Sequence, residues 1–154
     1  MKHVILASTL ASLLAISAAT ALAQVEVNDP WVRATVQQQK TTGAFMQLTA
    51  KQDARLIEVR SAAASTVEIH QMTMNNNVMR MRAIADLDLP AGTAVDLKPG
   101  GYHIMLVNLK HQIKDGDLVP ITLVVEDKNK ERQTIELQVP VRPLNSAAAD
   151  AMKH

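Results

Sequence analysis

The segment from Thr66 to Met105 contains the side chains of this 154-residue chain that could bind a soft metal ion. It holds two of the five histidines, His70 and His103, and five of the eight methionines. Ten residues separate His70 from Met81, twenty-one separate Met81 from His103, and one separates His103 from Met105. Core packing does not require this arrangement, so we interpret it as a soft-metal site on a β-scaffold.

The alternation of side chains along a β-strand predicts which of these residues point the same way. Side chains two positions apart share a face, so three groups project together: His103 with Met105, Met79 with Met81, and His70 with Met72 and Met74. Imidazole and thioether groups, with no thiolate and no carboxylate nearby in sequence, select a soft low-valent ion, and among biological metals that ion is Cu(I). Zinc would require Cys, His or carboxylate ligands, and calcium would require oxygen ligands.

The turn between the first two of these strands decides whether His70 and Met81 share a face. Asn75-Asn76-Asn77 suits a tight hairpin because Asn tolerates the left-handed conformation. If Asn75-Asn76 is a two-residue loop, Met72 lies opposite Met79 and His70 lies opposite Met81. A plain three-residue loop would put His70 and Met81 on opposite faces. The metal site therefore requires a two-residue turn or a bulge that restores the parity.

Composition limits the class of protein. The chain is 47% hydrophobic and 20% charged, which fits one compact domain with a sizeable core. The absence of Cys excludes disulfides, a blue-copper site and a zinc ribbon. An aromatic content of 2% argues against a base-stacking surface for nucleic acid. Residues 1–23 contain Lys2 and no acidic residue, so without them the 16 basic residues become 15, against 15 acidic ones. The side-chain charges then sum to zero, and no strong electrostatic steering to nucleic acid or anionic membrane is expected.

Residues 1–23 have the pattern of a secretory signal peptide. Lys2 gives a short positive start, residues 4–18 are apolar, and Ala21-Leu22-Ala23 is a small-x-small cleavage signal. We expect export with cleavage after Ala23. No Cys follows this point, so we expect no lipid anchor and no membrane anchor after cleavage. The predicted organisation is a signal peptide (1–23), a copper-binding β-sandwich domain (24–143) and a flexible C-terminal tail (144–154).

Short alternating segments separated by turn signals predict an all-β fold, an antiparallel β-sandwich without repeats. We expect Trp31 in the core, Met46 as a packing residue and His111 as a solvated loop residue, with a turn at residues 87–92. The predicted strands are residues 25–27, 31–35, 44–49, 56–60, 66–74, 78–82, 93–97, 102–107, 118–126 and 133–141.

The spacing of His70, Met81, His103 and Met105 resembles the signature of the PCu(A)C family of periplasmic copper chaperones: His, ten residues, Met, twenty-one residues, His-x-Met. Asn77 stands where the family usually has glycine after the turn, a tolerable change because Asn also adopts positive φ. The resemblance covers nearly the whole mature chain, and it extends to the flanking residues 78–82, 89–92, 99–103 and 116–120.

The resemblance implies a cupredoxin-like sandwich in the periplasm that binds Cu(I) through those four side chains. It further implies delivery of the ion toward the CuA centre of cytochrome c oxidase, in subunit II, often alongside a Sco-type thiol protein. Members of the family often carry a Met- and His-rich C-terminal extension proposed to bind Cu(II). This chain offers only Met152 and His154 there.

The residues favour a metal carrier, expected to be monomeric, over an enzyme. Four soft ligands saturate Cu(I), and no nucleophile or carboxylate pair accompanies them. One alternative is a copper-dependent electron-transfer protein or oxidoreductase, against which the lack of Cys and the poor match of thioethers to Cu(II) weigh. A second alternative is a non-metal interaction domain that uses a Met-rich surface.

Overall fold

The structure, a computed structural model, describes residues 24–145, and within that range every regular element is a β-strand. Over this part of the chain no helix is long and apolar enough to span a membrane. The predicted signal peptide and residues 146–154 of the predicted tail lie outside the described residues. The strands are β1 (Val25–Arg33), β2 (Thr41–Ala50), β3 (Ala54–Arg60), β4 (Ala64–Asn75), β5 (Val78–Ile84), β6 (Leu87–Leu89), β7 (Ala94–Leu97), β8 (Tyr102–Leu109), β9 (Leu118–Asp127) and β10 (Arg132–Arg142).

The ten strands form one sheet in the order β5-β4-β8-β7-β2-β1-β10-β9-β3-β6, with β8 also paired to β2. Its two halves enclose one hydrophobic core, which confirms the predicted all-β sandwich. The pairing is antiparallel except for β1 with β10 and β7 with β8, which are parallel. The first and last strands thus join the two halves. We expected an antiparallel sandwich, and these two parallel pairs depart from that expectation.

Most strands begin or end one to three residues from the predicted positions, and two predicted elements differ in kind. The segments 25–27 and 31–35 were expected as separate strands, but β1 joins them and ends at Arg33, with an irregularity between Asn28 and Trp31, where Asp29 has φ 48°. Residues 87–92 were expected as a turn, but β6 occupies the first three of them and pairs with β3. Leu87 and Leu89 are buried there, and an alternation of three residues is too short to be recognised from the sequence.

The core lies on one face of the β2–β8–β4 region, and the candidate ligands lie on the other. Met46 is 3% exposed and packs in the core, as predicted, while Ile104 and Leu106 are fully buried beside it. Trp31 is also buried, but it lies outside the main core cluster and contacts Phe45, with ring centroids 4.5 Å apart. Trp31 is thus buried, as expected of a core residue, but it packs with Phe45 on the ligand face and not in the main core cluster.

Candidate metal site

The β4–β5 hairpin brings His70 and Met81 to the same face through a two-residue loop at Asn76 and Asn77. Both loop residues have positive φ, 50° and 61°, which is the backbone of the type I′ turn that matches strand twist. Met72 therefore pairs with Met81. His70 and Met81 thus share a face, as the site requires, but the loop is one residue later than the predicted Asn75-Asn76 loop. Met81 consequently lies diagonal to His70 and not directly opposite it.

His103 lies near the start of β8 and is only 6% exposed. Its Nδ1 lies 3.2 Å from the carbonyl oxygen of Gly101, and because a carbonyl can only accept, Nδ1–H is the donor. In the neutral ring the lone pair is therefore on Nε2, which lies 3.1 Å from the Sδ of Met81. With a lone pair on Nε2 and no hydrogen on the thioether sulfur, these two atoms cannot form a hydrogen bond with each other. Two ligands of one cation are arranged in this way.

The surroundings of His103 favour its neutral form. Burial lowers the pKa of the imidazole below its ordinary value. The hydrogen bond to the Gly101 carbonyl opposes this effect, and the nearby His70 and Arg33 lower the pKa further. A neutral imidazole is the form that coordinates a metal, so at neutral pH no proton has to leave His103 before an ion binds.

His70 is the cross-strand partner of His103, and the two ring centroids are 5.5 Å apart. The Nε2 of His70 lies 2.7 Å from a carboxylate oxygen of Glu68. Among the described residues, no hydrogen-bond partner reaches its buried Nδ1. With Nε2–H donated to the carboxylate, the lone pair on Nδ1 is available to a metal, in the way that a carboxylate orients many metal-binding histidines.

This contact corrects one expectation from the sequence. We expected no carboxylate near the ligands in sequence, yet Glu68 precedes His70 by two residues in β4 and contacts it. Strand alternation predicts Glu68 on the same face as His70, Met72 and Met74, and the structure places it there. Its carboxylate is half-exposed and adds a negative charge beside the site, which favours a cation.

Met105 follows His103 by two residues in β8 and lies on the same face, partly buried. It pairs with Glu68 on one side and with Gly43 of β2 on the other. The structure therefore gathers all four predicted ligands, His70, Met81, His103 and Met105, on three adjacent strands of one face. Direct contact is seen between Met81 and His103 and between the two histidine rings.

Aromatic packing supports His103 from the side of β2, a feature that the sequence did not reveal. The Phe45 ring lies 6.3 Å from the His103 ring and 4.5 Å from the Trp31 ring, centroid to centroid, and is tilted to both. The Arg33 guanidinium lies 5.3 Å from the centre of the Phe45 ring. A β-carbon on Gly43 would lie 2.7 Å from the tip of that ring, so the absence of a side chain leaves room for it. In the sequence, the one available indication of this close packing was a glycine inside a strand.

The set of donors fits a soft ion and does not fit a hard one. Within residues 24–145 no group of three or more His, Cys, Asp or Glu side chains could hold a metal. The two histidines with Met81 and Met105 offer neutral nitrogen and sulfur donors, which suit Cu(I). His111, the remaining histidine of the described residues, is exposed and lies after β8, as predicted.

Comparison with known proteins identifies the family. The family model "Putative lipoprotein LpqE-like" matches residues 25–141. The "Putative lipoprotein Lxx21020" of Leifsonia xyli subsp. xyli (strain CTCB07) is 30% identical over 124 residues, which are 80% of this chain and 72% of that protein. The "Uncharacterized protein RP573" of Rickettsia prowazekii (strain Madrid E) is 31% identical over 71% of this chain, and the match spans 64% of that protein.

Solved structures show the same fold. The copper-bound PCuAC domain from PmoF2 superposes with a TM-score of 0.58 at 25% identity, covering 77% of this chain and 93% of that domain. The Cu(I) form of DR1885 from Deinococcus radiodurans superposes with a TM-score of 0.55 at 25% identity, covering 80% and 83%. The cupredoxin-like fold and the resemblance to PCu(A)C proteins are thereby confirmed. The chain belongs to the LpqE-like family and has the fold of a PCuAC domain.

Proposed function

We propose that this protein is a copper chaperone that binds Cu(I) through His70, Met81, His103 and Met105. The observation that carries the proposal is the 3.1 Å distance between the Nε2 atom of His103 and the Sδ atom of Met81. The buried Nδ1 of His70, which lacks a hydrogen-bond partner among the described residues, supports it. Copper-bound and Cu(I)-bound relatives with this fold add further support.

The four ligands differ in exposure, and this difference suggests how the ion leaves. His103 is 6% exposed and fixed by Gly101, whereas Met81 is 50% exposed on an edge strand. An incoming thiolate or thioether can approach the ion from the Met81 side and replace that ligand first. Cu(I) is the cargo in this exchange; one sulfur bond forms as another breaks, and neither the protein nor the ion changes oxidation state.

We further propose that the protein acts in the periplasm as a carrier and not as an enzyme. The acceptor would be a cuproprotein with soft ligands, such as subunit II of cytochrome c oxidase at its CuA centre, or a Sco-type protein. Residues 1–23 carry the export signal expected from the sequence, with a mature chain that starts at Gln24. Mass spectrometry of protein recovered from the cell envelope would test this start, and an intact Met1 on soluble, folded protein would contradict export.

Anaerobic titration with Cu(I) against a chromogenic chelator tests the metal assignment. We expect one tightly bound ion in the parent, and weaker binding in Met81→Leu and His103→Ala. His111→Ala and Met46→Leu are matched controls, because they remove the same two donor types away from the site. Unchanged affinity in both ligand variants would show that this is not the binding site and would favour the Met-rich interaction surface.

Transfer experiments test the chaperone role separately from binding. The loaded protein is mixed with candidate apo-acceptors, and the copper content of each partner is measured after separation. We expect net transfer to a soft-ligand acceptor and none to a variant acceptor without its ligands. Rapid reversible redox cycling of the bound ion at a fixed potential, without transfer, would instead favour electron transfer.

A further inference from the structure

The β4–β5 hairpin carries three methionines outside the four-ligand set: Met72, Met74 and Met79. Met74 pairs with Met79, and Met72 pairs with Met81. Directly opposed residues in an antiparallel pair have β-carbons about 5 Å apart, and alternate residues share a face. The four thioethers therefore form a two-by-two array on one face, and Met81 belongs both to this array and to the four-ligand site.

The fold itself does not require these side chains. Met74 is 67% exposed and Met79 is 46% exposed. Strand β5 is at the edge of the sheet, and all its residues except Ile84 are exposed, so the end of the hairpin lies beyond the core. Contiguous large apolar side chains at a surface generally mark a binding function, whereas scattered ones do not.

The chemistry of the array is specific for a soft ion. A thioether is a neutral, polarizable donor on a side chain with three rotatable bonds, so several can converge on one ion without repulsion. The other face of the hairpin carries no soft donor; it presents Thr73, Arg80 and Arg82. The donors are therefore confined to the face that continues into the four-ligand site.

We propose that Met72, Met74 and Met79 form a second, weaker Cu(I) site that passes the ion to and from Met81. This inference rests on the proposed function of the four-ligand site. The second site is weaker because it has no imidazole and because binding must order three flexible side chains, of which Met74 and Met79 are exposed. Each step exchanges one copper–sulfur bond for another, and the ion stays Cu(I). No proton moves, because a thioether is not protonated near neutral pH.

Stoichiometry provides the first test, using anaerobic Cu(I) titration followed by native mass spectrometry. The parent should bind one tight and one weaker equivalent. The triple variant Met72→Leu/Met74→Leu/Met79→Leu should keep the tight equivalent with unchanged affinity and lose the weaker one, and circular dichroism checks its fold. His103→Gln should do the reverse. A parent that binds only the weaker equivalent would contradict the proposed function, whereas a triple variant that still binds two would overturn the second site.

Transfer kinetics provide the second test, with the rate of copper loading from, and release to, a competing chelator. The triple variant should load and release copper several-fold more slowly than the parent at unchanged equilibrium affinity. Adding Thr73→Met and Arg80→Met to the triple variant returns two thioethers to the hairpin on its opposite face. This variant should stay slow. Rates equal to the parent in either variant would overturn the relay.

Discussion

The Nε2 atom of His103 and the Sδ atom of Met81 lie 3.1 Å apart, although twenty-one residues separate them in the chain. Strand β4 lies between their two strands in the sheet, so the contact spans the face of three strands. One partner is buried and fixed by a backbone hydrogen bond, and the other is half-exposed. A rigid ligand is thus combined with an exchangeable one.

Removal of these two ligands should have unequal effects on stability. His103→Ala deletes a buried ring that contacts Phe45 and should lower the free energy of unfolding by about 1–3 kcal/mol. Met81→Leu replaces an exposed side chain and should change it by less than about 1 kcal/mol. Urea denaturation of the apo-proteins measures both values. Equal losses would mean that the burial of His103 does not contribute to folding.

The stability of the apo-protein should fall as the pH drops below about 6.5, in part because of His103. Burial lowers the pKa of this imidazole in the folded state, so below its ordinary pKa of 6.5 the unfolded chain takes up a proton that the folded chain does not. The stabilisation present above that pH is therefore lost as the pH decreases. Urea midpoints across this range should vary less in His103→Gln, whereas the exposed control His111→Ala should behave like the parent.

Gly43→Ala should disturb the site without touching a ligand. Its β-carbon would lie 2.7 Å from the tip of the Phe45 ring, which is 5% exposed and contacts both Trp31 and His103. The ring cannot move freely, so we expect a loss of about 1–3 kcal/mol in stability and weaker Cu(I) binding. Denaturation and chelator competition measure the two effects. Gly43→Ala in a Phe45→Leu background should cost less, and an equal cost would contradict the explanation.

The backbone at Asn77 should control the register of the ligand hairpin. Asn77 has φ 61°, so Asn77→Gly should keep or strengthen the turn, whereas Asn77→Val should cost about 1–2 kcal/mol locally because a left-handed conformation disfavours a branched side chain. Hydrogen exchange of the β4–β5 amides measures this local stability. We expect Cu(I) affinity to fall with the valine variant alone. Equal protection in the two variants would contradict the type I′ turn.

Mild peroxide treatment of the apo-protein should abolish most Cu(I) binding, because a sulfoxide is no longer a soft donor. Exposed Met74 and Met81 should be oxidised before buried Met46, which serves as the internal control. Mass spectrometry locates the oxidised residues, and chelator competition measures the affinity. Affinity that is insensitive to oxidation at Met81 and Met105 would mean that thioethers are not ligands.

The sequence alone determined the donor types, their spacing and the chemistry that they select. Alternation along strands was enough to place His103 with Met105 on one face and Ile104 on the other, because this parity is a local property of the backbone. The same rule identified the all-β class, and the apolar neighbours of Met46 identified its packing role. It failed at β6 and at the irregularity in β1, where the segments are too short or too irregular for a pattern to show.

Only the tertiary structure decided the register and the environment of the site. Three asparagines allowed more than one loop, and the structure has the two-residue loop at Asn76 and Asn77, with Met72 opposite Met81. The contacts of the His103 ring with Phe45 of β2 and with Met81 of β5 join side chains from different strands. Such contacts depend on how distant segments pair across the sheet, and residue types and spacing do not encode that pairing locally.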